Sequence, residues 1–159
     1  SNCQPGLAGV SFGNLLLKQV VRDLERELPN VENFVTLSPV PGFAAWVARD
    51  SEAAGSAGAE RSTSDIRRLA LRYFLSAKRD DGAPVDSVAR FHLRNGAALD
   101  DLIPDANPSE RGQSESLGLM VSYRYDRSRI ENRHEQYTED YSVTLSDSLI
   151  SEARSLGLI

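Results

Sequence analysis

Sulfur and histidine are scarce in this chain: of 159 residues one is cysteine (Cys3), one is methionine and two are histidine. A lone cysteine closes no internal disulfide and fits a reducing, cytoplasmic compartment. Two histidines and one cysteine, far apart, do not spell a structural zinc site. No run of about 18 apolar residues occurs, so no transmembrane helix is expected. Cationic excess is missing too. Eighteen Lys and Arg stand against 23 Asp and Glu, and the net charge of −5 argues against a general nucleic-acid partner. No signal peptide is visible, and the terminal Gly157-Leu158-Ile159 is no peroxisomal address. Internal repeats are absent. So are the Gly-x-Gly-x-x-Gly dinucleotide fingerprint and the P-loop Gly-Lys-Ser/Thr.

What remains suits one globular unit with a real core, or a large part of one, since 40% of the residues are hydrophobic and 26% charged. Because it begins at Ser1 on loop-like sequence, the chain is expected to be the C-terminal part of a longer protein. Residues 4–14, Gln-Pro-Gly-Leu-Ala-Gly-Val-Ser-Phe-Gly-Asn, lead into a helix with Asn14 as cap and Leu17, Val20, Val21, Leu24 and Leu28 at helical spacing. Pro29-Asn30 ends it, and Val31 to Leu37 reads as a strand. Phe43 to Ala48 allows a turn or two of helix. Asp50 to Arg61, rich in Ala, Gly, Ser and Glu, reads as a flexible surface loop.

Farther on, residues 64–78 carry a buried helical stripe of Ile66, Leu69, Ala70, Tyr73, Phe74 and Ala77. Pro84 to Leu93 is expected to be a helix with Pro84 in its first turn. Ala97 to Ile103 fits helix or strand, and Pro104 to Glu115 reads as a polar loop. Leu117 to Tyr125 reads as a buried strand, residues 126–137 as a charged stretch, and Ser146 to Leu158 as a tail helix. Helices and strands in this order make an α/β layer.

Several words carry chemistry. Gly6, Gly9 and Gly13 before a helix are suited to an anion, because free backbone N–H groups and the helix dipole face it together. The same spelling also serves a plain tight turn. From Gln4 the loop approaches the coenzyme A pyrophosphate loop of acyltransferases of the GNAT superfamily. Ser38 precedes Pro39-Val40-Pro41-Gly42, whose prolines stiffen the loop. Its hydroxyl is either a turn serine's or one presented at the C-terminal end of a strand, where open α/β sheets bind ligands. No Gly-x-Ser-x-Gly surrounds it. His92 lies in a mostly apolar helical run that stops at Asn95-Gly96, and either packs or reacts. Tyr123 and Tyr125 share one face of a strand, for packing or for reaching a site. Arg68, Arg72 and Arg90 are candidates for coenzyme phosphates or for a solvated face. His134 receives no role.

Taken together these words resemble the malonyl-CoA decarboxylase family. The likeness runs over Gly6-Leu-Ala-Gly-Val, Leu15 to Leu24, Phe34-Val-Thr-Leu-Ser-Pro-Val-Pro-Gly-Phe43, Val88-Ala-Arg-Phe-His-Leu-Arg-Asn-Gly-Ala97 and Gly118-Leu-Met-Val-Ser-Tyr-Arg-Tyr125. The resemblance implies a partial GNAT-like α/β fold, a mixed sheet flanked by helices, forming the C-terminal part of the catalytic domain. It implies decarboxylation of malonyl-CoA to acetyl-CoA and CO2 without a metal or organic cofactor. Ser38 and His92 would be proton acceptor and donor, and Tyr125 would belong to the site. Ala8, Gly9, Val10, Ser11, Phe12, Gly13 and Asn14 would lie on the coenzyme. A homo-oligomer built through an N-terminal helical domain is also implied.

Three departures stand out. Ser11 replaces a glutamate of the animal members, and the segment between Trp46 and Tyr73 is shorter. Leu99-Asp-Asp-Leu-Ile-Pro-Asp replaces an aromatic-rich stretch and is expected to place negative charge near an anionic substrate. Two other functions stay open: an acyl-CoA transferase on the same scaffold, and a truncated coenzyme A-binding module without turnover.

Overall fold

Ser62 writes the plainest local instruction in the chain. Its hydroxyl accepts from Asp65 N (3.2 Å) while the Asp65 carboxylate accepts from Ser62 N (3.2 Å), so two otherwise unpaired donors at a helix start are satisfied reciprocally. The computed structural model describes residues 12–31, 33–49 and 61–159. Two compact units, Ser1–Phe34 and Val35–Ile159, divide the chain.

The first unit carries helix α1 (Phe12–Glu27). It starts before Asn14, which therefore sits inside the first turn and is not the cap. Val21 and Leu24 are half-buried, whereas Val20 and Leu28 are exposed. Pro29 then stops the helix.

In the second unit the chain runs through β1 (Phe34–Pro39), α2 (Phe43–Arg49), α3 (Thr63–Ser76), α4 (Ser87–Arg94), β2 (Ala98–Ile103), α5 (Glu110–Ser116), β3 (Met120–Tyr125), α6 (Ile130–Asp140) and α7 (Asp147–Ser155). Among the described residues the strands form one three-stranded sheet in the order β1-β3-β2, flanked by helices. The α/β expectation is met. Strands β2 and β3 are antiparallel, with Leu99 opposite Tyr123 and Asp101 opposite Ser122, so Asp100 is the extra residue of a bulge. Leu145 bridges to Leu99 along the other side of β2.

All six stripe residues expected on α3 are buried, and Leu71 with them. Phe43, Trp46, Tyr73 and Phe74 form an aromatic cluster with ring centroids 5.2–6.5 Å apart. Each fully buried phenylalanine there contributes about 1.5–3 kcal/mol. On the far side Arg67 of α3 donates to Glu152 of α7 (2.6 and 3.1 Å), to Asp101 of β2 (3.0 Å) and to the Leu102 carbonyl. One guanidinium thus ties three elements.

Elsewhere the structure corrects the sequence. Helix α4 begins at Ser87, because the Asp86 side chain takes the cap by accepting from Ala89 N (2.8 Å). Pro84 instead bridges to Lys78 in a turn closed by Val85 N donating to Ala77 O (3.0 Å). The expected polar loop holds α5, capped by Ser109 and ended by Leu117 at φ 53°. The charged stretch folds into α6. The 97–103 segment holds a strand, and the expected tail helix is present as Asp147–Ser155, with Ser146 as its cap. Among the described residues no helix is long and apolar enough to cross a membrane, and no group of three His, Cys, Asp or Glu could hold a metal ion.

Candidate active site

Ser38 is the penultimate residue of β1, inside the strand and not beyond it, and only 7% exposed. Among the described residues strand β1 is at the sheet edge, a position that tolerates a proline such as Pro39. Val40 and Phe43 are buried, and Phe43 N donates back to Val40 O (3.1 Å), so the proline-rich loop is anchored at both sides. Gly42 allows the close approach of Tyr73: a Cβ there would meet the Tyr73 hydroxyl at 2.8 Å.

His92 is on α4, whose cap at each end is well defined. Asp86 caps the start and is buried, and burial pushes its carboxyl up while the hydrogen bond from Ala89 opposes that. The Tyr73 hydroxyl stands 3.5 Å from the same carboxylate. At the other end Asn95 donates its side-chain amide to Phe91 O (2.7 Å), and Gly96 turns the chain at φ +79°. A Cβ at Gly96 would fall on the Ile130 carbonyl oxygen. This tight exit feeds directly into β2, which pairs with β3, and so lays α4 across the tyrosine face of β3.

Period-two alternation puts Tyr123 and Tyr125 on that face and Ser122 and Arg124 on the other. The outcome is a line of three polar groups. Ser38 Oγ is 2.9 Å from His92 Nε2, and His92 Nδ1 is 2.7 Å from the Tyr125 hydroxyl. The Tyr123 ring lies against the imidazole face at 4.2 Å and 16°. The hydroxyl and imidazole, 54 residues apart in the chain, do converge.

Burial pushes the His92 imidazole down to about 4, so it is neutral at ordinary pH. Burial likewise pushes the Tyr125 phenol well up, so it keeps its proton. A neutral imidazole has one N–H, and two arrangements satisfy the line. Either Nε2–H donates to Ser38 Oγ and Tyr125 donates to Nδ1, or Nδ1–H donates to Tyr125 and Ser38 donates to Nε2. One proton taken up at the Tyr125 end and one released at the Ser38 end, with a shift along the line between them, interconverts the two. That is a relay between a buried hydroxyl and a phenol.

Other residues singled out in the sequence have the following surroundings. Asp100 accepts from Arg124 (2.7 Å) and Asp101 from Arg67 (3.0 Å), so the anticipated extra negative charge is matched by cations. Arg68 stands 4.0 Å from Asp65, Arg72 lies 5.9 Å over the Trp46 ring, and Arg90 donates to the Pro84 and Val85 carbonyls (2.8 and 2.6 Å). Phe12, Gly13 and Asn14 form the first turn of α1; Cys3, Ala8, Gly9, Val10, Ser11 and the 50–60 loop lie outside the described residues. The letters Gly-x-Ser-x-Gly occur at Gly9-Val10-Ser11-Phe12-Gly13, and not around Ser38. His134, given no role above, places Nδ1 2.5 Å from Arg94 O at the end of α4. The cap Asp86 was missed because an aspartate after Pro84-Val85 reads as turn; its signal was the apolar helical run starting just behind it.

The model of the malonyl-CoA decarboxylase C-terminal domain matches residues 1–62 and 53–156. The chain belongs to that family. Among solved structures of malonyl-CoA decarboxylases, that from Rhodopseudomonas palustris is 43% identical with a TM-score of 0.78, covering 90% of this chain and 40% of its own. That from Agrobacterium vitis is 41% identical with a TM-score of 0.78, covering 92% and 42%. The mitochondrial malonyl-CoA decarboxylase of the goose Anser anser anser is 26% identical over 95% of this chain and 38% of its own length. That alignment spans 191 residues, longer than this 159-residue chain, so the goose relative has residues that this family member lacks. The chain thus spans well under half the length of the relatives it matches.

Proposed function

We propose that this domain decarboxylates malonyl-CoA to acetyl-CoA and CO2, in malonate or fatty-acid metabolism, with Ser38 and His92 as its acid–base pair. The observation that carries the reading is the buried 2.9 Å contact between Ser38 Oγ and His92 Nε2, backed by Tyr125 at 2.7 Å, in a member of this family. Loss of CO2 breaks the carbon–carbon bond and leaves its electron pair on the thioester as an enolate. The thioester carbonyl is itself the electron sink. The protein then has two tasks: to hold the developing oxyanion, and to deliver one proton to carbon. An N–H or O–H donor aimed at that oxygen lowers the barrier by about 3 kcal/mol.

His92 protonates the enolate or holds its oxygen, while Ser38 orients the carboxylate and relays a proton. Tyr125 stands at the far end of the line, where it resupplies the imidazole. One proton is consumed per turnover, and solvent makes it good. Binding of the coenzyme by Ala8 to Asn14, a cytoplasmic location and a homo-oligomer in the longer protein belong to the same proposal. The helix start after a glycine-rich stretch and the single cysteine support the first two.

The test is incubation of the full-length protein containing this domain with malonyl-CoA alone. Acetyl-CoA and CO2 in equal amounts support the proposal. Consumption of acetyl-CoA only when an amine acceptor is added would make it a transferase. Coenzyme A binding without CO2 release would make it a binding module.

A further inference from the structure

We propose that Tyr123 is a positioning residue for the reaction, its ring face steadying the plane in which the His92 imidazole presents both nitrogens. The inference rests on the decarboxylase reading of the Ser38–His92 line and adds to it a residue that makes no hydrogen bond to that line. Hydrogen bonds at Nε2 and Nδ1 hold the imidazole at two points on its rim. Together with the bond to Cβ these set the mean plane of the ring, but the last side-chain torsion of histidine is broad and hydrogen bonds tolerate bending, so the ring still rocks about that plane. A contact on the ring face narrows that rocking.

Tyr123 supplies it, nearly parallel at 16° with centroids 4.2 Å apart. Phe91 and Tyr125 meet the imidazole nearly edge-on instead, at 82° and 62°. Tyr123 is itself immobilised. It is 1% exposed, sits in the middle strand of the sheet and pairs across β2 with Leu99, which is fully buried. Its ring also keeps water off one imidazole face, in line with the burial that holds His92 neutral. Among the described residues Ser38, Tyr125 and Tyr123 are the polar groups meeting the imidazole, with Asp86 and Tyr73 acting on the Tyr123 phenol.

The experiment compares Tyr123→Leu and Tyr123→Phe in the full-length protein. It reads turnover of malonyl-CoA, and the titration of the His92 ring by nuclear magnetic resonance. Phenylalanine keeps the ring face, so kcat stays within about threefold and the imidazole still titrates near 4. Leucine removes it. There kcat falls about 10- to 100-fold while KM moves less than about threefold, since misplacing a reacting group by about 1 Å costs that order. The titration midpoint in the leucine variant rises toward the ordinary value of about 6.5.

A folded leucine variant with the parent's kcat and midpoint overturns the proposal. So does a phenylalanine variant as impaired as the leucine one, or a loss confined to KM. Should leucine prevent folding, a folded phenylalanine variant more than about tenfold down in kcat overturns it, and one near parental kcat supports it. If the parent itself releases no CO2, the decarboxylase reading fails, and the ring titration alone still decides whether Tyr123 holds the imidazole.

Discussion

At the scale of single residues, His92 carries the greatest consequence. It is 7% exposed, packed between rings, and held neutral by burial at a position where an exposed histidine would begin to charge. His92→Ala is expected to lower kcat by about 10² to 10⁴ with malonyl-CoA still bound, as loss of a positioned proton donor does. Steady-state turnover combined with binding by calorimetry checks this; unchanged turnover in the folded variant removes the residue from the mechanism. The same burial links stability to pH. The folded-state value, about 4, lies below the unfolded value of about 6.5. As pH falls through that window the unfolded chain takes up a proton that the folded one resists. Stability is therefore present above about pH 6.5 and drains away toward pH 4, by about 3 kcal/mol in all. Urea midpoints at pH 7 and pH 4.5 should differ more in the parent than in His92→Gln.

Helix α4 is the element on which the site turns. It is only eight residues long, too short to persist without its caps and packing. Asp86→Ala should cost about 0.5–2 kcal/mol, because Ala89 N loses its acceptor, and more if the Tyr73 hydroxyl finds none either. Asp86→Asn keeps an oxygen at the cap and removes a buried charge, so its thermal midpoint should lie near the parent's. Thermal unfolding of the two variants decides. The exit of the helix is just as constrained, since Gly96 has both a positive φ and the Ile130 backbone against it. Strand β3 contributes through its alternation, which assigns the tyrosines to the helix side and Arg124 to the other, where it pairs with Asp100. The bulge at Asp100 lets an aspartate inside a strand reach that arginine.

On the scale of the whole second unit, Arg67 holds the C-terminal helix to the sheet. Its partners Glu152 and Asp101 are 27% and 51% exposed at the side chain, so solvent screens part of the attraction. Arg67→Met is expected to destabilise the unit by about 1–2 kcal/mol, and Arg67→Lys to recover less than half of that, because an ammonium cannot span two carboxylates as a guanidinium fork does. Amide hydrogen exchange over residues 147–155 should quicken in both variants before the rest of the unit responds.

Much of this was legible from the order of the amino acids. Helical spacing named the buried stripe of α3, alternation put Tyr123 and Tyr125 on one face, and Asn95-Gly96 marked the end of the histidine helix. Such features are local, governed by backbone period and by which residue tolerates which φ. The polar α5 and charged α6 escaped notice because their helicity comes from caps and neighbours and not from an apolar stripe. Asp100 and Asp101 looked like loose negative charge, since nothing linear pairs them with Arg124 and Arg67, 24 and 34 residues away. The same holds for the site. Spacing nominated Ser38 and His92 one at a time, but only the packing of α4 over β3, with β1 beside it, brought hydroxyl, imidazole and phenol into one line. Distances between parts of the chain that are far apart in order are decided by burial and close packing, and those belong to the folded molecule alone.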